Sequence, residues 1–302
     1  MRVGIIVPQG WTGEYAGFEP RAAWDRTLEV ALAAEELGFD SIWLFDHFHT
    51  TPDPTDELTF ESLTSLSALA ARTRRVRLGQ IVGSAAYRNP ALLAKMISTL
   101  DTISDGRMEL GLGAGWKQEE FEAYGYPFLP LRERLDALGD TLEVVTRMLA
   151  PGRATYEGRH ARVRGAINLP KPIQRPRVPI LVGGNGRERT WRLAARYADE
   201  LNLDAMPPEE LPEALSVIAA RCEEIDRDPA TLRVSVHVWW EQLAKAPSRA
   251  ALLAAYREAG ASRIMTLVRD AARDPAALES FRDDAVLAGA ELAGEVLAAR
   301  AI

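Results

Sequence analysis

An aspartate and two histidines stand together at Asp46-His47-Phe48-His49, directly after a short apolar segment, Ser41 to Phe45. A carboxylate there can fix a ligand or orient an imidazole, and an imidazole with a pKa near about 6.5 holds or donates a proton at neutral pH. The same aspartate at a strand end would also serve simply to cap the following loop. His47 and His49, two apart, could ligate a metal, as in a metal-dependent hydrolase. The rest of the ligand set is hard to assemble, because the other histidines are His160 and His237, the latter inside a predicted strand, so no metal ligand is assigned. Two glycine-rich segments are the other candidates. Gly111-Leu112-Gly113-Ala114-Gly115-Trp116 permits close backbone approach to a ligand or a loop with positive φ, and its spacing does not match GxGxxG. Gly183-Gly184-Asn185-Gly186, with Arg187 and Arg189 close by and a helix predicted from Arg189 to Tyr197, aims several amides at one place. The field of a helix N-terminus favours a phosphate there, although a glycine-rich turn without a ligand reads the same way.

The elements that must position these residues alternate along the whole chain. Strands are predicted over Arg2 to Val7, Ser41 to Phe45, Val76 to Val82, Arg107 to Gly111, Ile180 to Val182, Glu200 to Leu203, Arg233 to Trp239 and Arg263 to Leu267. Helical patterns separate them. The first helix runs from about Arg21 to Leu37 behind Pro20 and stops at Gly38; another occupies Glu61 to Arg72; a third opens at Asn89-Pro90 and ends before Asp105-Gly106. Leu131, Leu135, Leu138, Leu142, Val145 and Leu149 form one apolar stripe at helical period. Strand and helix repeats of this number predict a (β/α)8 TIM barrel in the α/β class, as one domain over 1–302, rather than an open doubly wound sheet. Residues 152–179, rich in proline and arginine, are longer than an ordinary connection and read as an insertion over a site. In a barrel the functional groups belong at the carboxyl ends of the strands, which is where the segments above fall.

The chain has 302 residues, 47% hydrophobic and 26% charged, which is ordinary globular composition and excludes disordered, collagen-like and coiled-coil classes. Its net charge of −7 argues against nucleic acid or an anionic membrane as the main partner. No apolar run reaches the ~20 residues that cross a bilayer, and the start MRVGIIVPQG lacks a signal-peptide pattern, so a cytoplasmic protein is expected. The lone cysteine, Cys222, falls at an apolar helix position and is expected in the core.

The segments LGFDSIWLFDHF, VRLGQIVGSAAYRNPALLAKMISTLDTISDGRMELGLGAGW and PILVGGNGRERTWRLAARYADELNL occur in an order that resembles the bacterial luciferase-like monooxygenase superfamily, and more narrowly its branch that uses the deazaflavin coenzyme F420. The resemblance covers residues 1 to about 240. It implies a TIM barrel with an insertion beside the active site and a cofactor standing at the carboxyl rim. It further implies that Asp46 contacts the cofactor and that His47 lies beside the reactive ring. Ile81-Val82 matches the place of a non-proline cis peptide that backs the ring, and Ser84 a hydroxyl that contacts the cofactor. Ala114 and Gly115 would approach the cofactor, while Gly183, Gly184, Asn185, Gly186 and Arg187 would hold its phosphate. Relatives that oxidise sugar phosphates carry a glutamate where this chain has Trp116, so that activity is not carried over. The expected enzyme is an F420-dependent oxidoreductase with a small organic substrate, His47 handling the proton, and Trp11, Phe48 and Trp116 as candidate flat walls. FMN is the alternative cofactor and would make the chain a monooxygenase served by a partner reductase; a binding protein without turnover is a further class. The resemblance also implies a homodimer.

Overall fold

The computed structural model describes residues 1–293, so residues 294–302 of the expected domain lie outside the described part. In chain order the strands are β1 (Arg2–Ile6), β2 (Ser41–Leu44), β3 (Arg77–Gln80), β4 (Gly83–Ser84), β5 (Met108–Gly113), β6 (Ala154–Glu157), β7 (Arg162–Ala166), β8 (Ile180–Gly183), β9 (Glu200–Asp204), β10 (Arg233–His237) and β11 (Arg263–Thr266). The helices are α1 (Pro20–Glu36), α2 (Ser62–Arg72), α3 (Pro90–Ile103), α4 (Gln118–Ala123), α5 (Leu131–Leu149), α6 (Thr190–Tyr197), α7 (Leu211–Glu223), α8 (Trp240–Lys245), α9 (Arg249–Glu258) and α10 (Ala277–Leu287). The parallel sheet runs β3-β2-β1-β11-β10-β9-β8-β5, and β5 pairs back onto β3 and β4, which closes the expected eight-stranded barrel.

Local chemistry sets several boundaries. The Asn89 side chain accepts from the amides of Ala91 and Leu92 and so caps α3 behind Pro90, while Glu61 caps α2 through the amides of Leu63 and Thr64. Cys222 is buried on α7, as its position in the sequence predicts. The α5 stripe is divided by depth. Leu138, Leu142, Val145 and Leu149 pack in the core, whereas Leu131 and Leu135 hang over the mouth of the barrel. Among the described residues no helix is long and apolar enough to cross a membrane.

The third barrel strand departs from the continuous run expected over Val76 to Val82. Gly79 pairs with Glu109 but Gly83 pairs with Leu112, so one strand advances by one residue more than its neighbour, a bulge. The Ile81-Val82 peptide inside it is cis. Room for this bulge comes from glycines on the next two strands. A Cβ on Gly113 would stand 2.7 Å from a Val82 methyl, one on Gly183 would stand 2.8 Å from the other, and one on Gly111 would collide with the Gln80 carbonyl oxygen. The alternating glycines of β5, read from sequence as points of ligand approach, therefore accommodate a neighbouring strand first.

The insertion is also placed differently from expectation. Residues 152–179 form the antiparallel β6-β7 hairpin and an irregular return, and none of them lines the cavity described below. Gln174 bonds to Asp101 and to the carbonyl of Met108, the first residue of β5, so the return lies at the amino ends of the strands. The cause is topological, because the chain leaves α5 at that end and must enter β8 there.

Candidate active site

A cavity of about 360 Å³ opens at the carboxyl ends of the barrel strands, within the size range of small-molecule sites. Of the residues expected to form a site, Asp46, His47, Ile81, Val82, Ser84, Ala114, Gly115, Gly183, Gly184 and Asn185 all line it. Gly186 and Arg187 do not. Arg187 is exposed and pairs with Glu213 on α7 at 2.6 Å, and Gly186 accepts from the amide of Trp191. Among the flat side chains, Trp11 and Trp116 line the cavity, while Phe48 packs outside it against Tyr87 and Tyr124, with ring centroids 4.7 and 4.6 Å away.

Asp46 follows β2 and is buried. Its two oxygens take both arms of the Arg88 guanidinium at 2.6 and 2.9 Å, the hydroxyl of Ser62 at 2.7 Å and the backbone amide of Ser84 at 2.9 Å. A carboxylate offers roughly four acceptor sites, and here all are used. Asp46 thus ties β2 to the end of the bulged strand, and a bound molecule meets it as a fixed negative edge of the wall.

His47 is held from two sides. Its ring stacks on Trp11 at 4.2 Å with the planes 3° apart, and Nδ1 lies 2.8 Å from Oε2 of Glu120 on α4. Glu120 is fully buried and also accepts from the Tyr87 hydroxyl at 2.8 Å and from the Phe48 amide at 2.7 Å. Burial opposes its ionisation, but the hydrogen bond and charge of His47, with the Phe48 and Tyr87 donors, outweigh that and hold its carboxyl below the ordinary range. Tyr87 is shifted the other way, its phenol pushed far up by burial and by the Glu120 charge. Since a carboxylate only accepts, the hydrogen-bond network assigns the proton of the neutral ring to Nδ1 and leaves Nε2 as the acceptor. His49 turns aside, with Nδ1 3.0 Å from the Thr50 carbonyl and its ring near Tyr124. Among the described residues no three His, Cys, Asp or Glu side chains converge on a point where a metal would sit.

The opposite wall comes from β8 to β10. Gly184 has φ +131°, and Asn185 is locked by a reciprocal pair of bonds to the Asp204 backbone, donating at 2.8 Å and accepting at 2.9 Å. No side chain caps α6, and of its first amides that of Trp191 is spent on the Gly186 carbonyl. Asn202, Asp204, His237 and Trp239 complete the wall, and Lys117 and Tyr87 lie on the first side. Sequence reasoning missed these, and Glu120 with them. The acidic pair Glu119-Glu120 soon after the glycine run was the available signal for the last, but only the structure shows which of the two turns inward.

Known proteins can now be set beside this geometry. A family model described as luciferase-like monooxygenase matches residues 1–296. The F420-dependent glucose-6-phosphate dehydrogenase of Intrasporangium calvum is 30% identical over 257 residues, covering 76% of this chain and 73% of that protein. The 5,10-methylenetetrahydromethanopterin reductase of Methanolobus tindarius is 30% identical over 255 residues, covering 83% and 72%. Among solved structures, an F420-dependent secondary alcohol dehydrogenase in complex with an F420-acetone adduct superposes with a TM-score of 0.79 over 95% of this chain and 98% of that one; at 19% identity it speaks to the fold. On this match, which spans nearly the whole sequence, the chain belongs to the luciferase-like monooxygenase family.

Proposed function

We propose that this protein is an oxidoreductase dependent on the deazaflavin coenzyme F420, moving a hydride between the cofactor and a small organic substrate. The observation that carries the reading is the carboxylate-anchored His47 imidazole on the wall of a cavity backed by the Ile81-Val82 bulge, in a chain 30% identical to relatives of which one is named for F420 dependence. The residues present fit such a group: the bulge, Ala114 and Gly115 offer a backbone surface, and the turn that follows Gly184, whose own amide is spent on the Asn202 carbonyl, leads into the start of α6, which no side chain caps, and offers backbone amides for a phosphate. When bound, the deazaflavin supplies the carbon that gives or takes the hydride.

This chain's own groups do the rest. Asp46 and Ser84 hold the rim of the bulge in place, and the aromatic walls exclude water from the reacting centre. Nε2 of His47 takes the proton released when a substrate is oxidised, or returns it in the reverse direction, while Glu120 stabilises the imidazolium so formed.

Titrating the purified protein with F420 and with FMN tests the cofactor. F420 should bind at least about tenfold more tightly, a difference of roughly 1.4 kcal/mol. Tight FMN binding with no F420 binding would replace this reading with that of a flavin monooxygenase. His47→Ala should slow hydride transfer by roughly 10²- to 10⁴-fold while cofactor affinity stays within a few fold. Full activity in that variant would remove His47 from the chemistry.

A further inference from the structure

The cavity holds a second imidazole that the reading above does not use. His237 ends β10, directly beside Asp204 at the end of β9, and its Nδ1 lies 2.9 Å from Oδ1 of Asp204. The carboxylate again places the proton of the neutral ring on Nδ1 and leaves Nε2 as an acceptor, turned away from Asp204. The residue is 4% exposed, and this Nε2 is buried with no hydrogen-bond partner. Buried polar groups are rarely left so, and an unmatched one inside a binding cavity marks a place for a ligand group. The ring is flanked by Trp239 at 4.6 Å and Phe45 at 5.6 Å, which are both cavity walls.

The walls narrow what can bind here. The cavity is lined by three charged side chains among the described residues: Asp46 is paired with Arg88, Asp204 faces His237, and Lys117 donates to the Thr50 carbonyl at 2.9 Å. Beside His237 the lining is aromatic, with Phe45, Trp239 and Trp11, which suits an apolar body on the bound molecule.

We propose, resting on the oxidoreductase reading, that the substrate is a largely apolar molecule carrying a hydroxyl or N–H group, and that His237, oriented by Asp204, selects it by accepting that hydrogen. His237 is then a specificity-determining residue and Asp204 a positioning residue, separate from the His47–Glu120 pair.

Binding of two probes, benzyl alcohol and benzyl methyl ether, can be followed through tryptophan fluorescence, since Trp11, Trp116 and Trp239 line the cavity. The measurement is made on the protein with and without deazaflavin. The alcohol should bind roughly tenfold more tightly than the ether. His237→Phe should erase the alcohol preference without weakening the ether, and His237→Gln, which returns an acceptor near Nε2, should restore most of it. Asp204→Asn should lower the preference while leaving ether affinity unchanged. An undiminished preference in His237→Phe, or no binding of alcohol or ether in either form, would each overturn the proposal. A His237→Phe variant that loses deazaflavin affinity and keeps its alcohol preference would assign this nitrogen to the cofactor and overturn it equally. Because the unloaded protein is measured too, a failure to bind deazaflavin is seen separately and counts against the function proposed above.

Discussion

The chemistry of this site turns on which nitrogen of His47 carries the proton, and that is decided by Glu120. Its Oε1 is committed to the Phe48 amide, and its Oε2 serves both His47 and Tyr87. In Glu120→Gln the amide oxygen would stay on Phe48 N and the NH2 would face His47, which forces Nδ1 to become the acceptor and moves the ring proton to Nε2. The expected result is a fall in hydride-transfer rate of roughly 10²- to 10⁴-fold, as wrong-tautomer substitutions give elsewhere, with deazaflavin affinity kept within a few fold. Stopped-flow measurement of cofactor reduction checks it, and an unchanged rate would show that the imidazole needs no such orientation. His47 and Asp46 were legible in the sequence because both follow a strand end, where barrels place their chemistry. Glu120 was not, since it lies 73 residues from His47 and no local pattern links them. His237 was seen only as a strand residue; its link to Asp204 depends on the register of two neighbouring strands.

At the scale of elements, the period and punctuation of the chain were enough to place the barrel strands and the helices between them. Proline, asparagine and glycine signals act within a few residues, so their consequences can be read locally. The bulge in the third strand could not be read in this way. Its apolar run continues through Ile81 and Val82, and the evidence for a break sits on other strands, in the missing side chains of Gly111, Gly113 and Gly183. The insertion was misplaced for a similar reason, because its composition shows that it is irregular but says nothing about which end of the barrel it occupies. The wedge of Val82 between β5 and β8 yields a test. Gly113→Ala would drive a Cβ to 2.7 Å from a Val82 methyl and should destabilise the fold by about 1–3 kcal/mol. Adding Val82→Ala removes the obstructing methyls, so the double variant should lose less than the two single changes together. Urea unfolding of the four proteins measures the coupling, and strict additivity would mean that the two side chains do not compete for this space.

The molecule as a whole is filled by two different kinds of interior. Toward the carboxyl rim the barrel is aromatic, with Trp43 fully buried in space left by Gly4 and Gly79, whereas at the amino end it is ionic. Arg263, fully buried, lies 2.9 Å from Glu109, 3.5 Å from Glu200 and 3.2 Å from Asp40, with its guanidinium 5.3 Å from the Trp43 ring. Burial opposes the ionisation of Glu109, but Arg263 and Arg77 outweigh it and hold the carboxyl well below its ordinary range. A folded pKa depressed below the unfolded value of about 4.3 contributes stability that is complete above that value and is lost as pH falls through the folded one. Arg263→Met leaves the carboxylates buried without their central partner and should cost about 3–5 kcal/mol at neutral pH. Below the folded pKa of Glu109 the carboxyl is protonated in both proteins, so the gap between wild type and variant should narrow as the solution is acidified. Denaturant unfolding at a series of pH values from 7 down to the acid transition measures that gap directly. A gap that stays constant over the range would show that the Arg263–Glu109 charge pair does not hold this end of the barrel together.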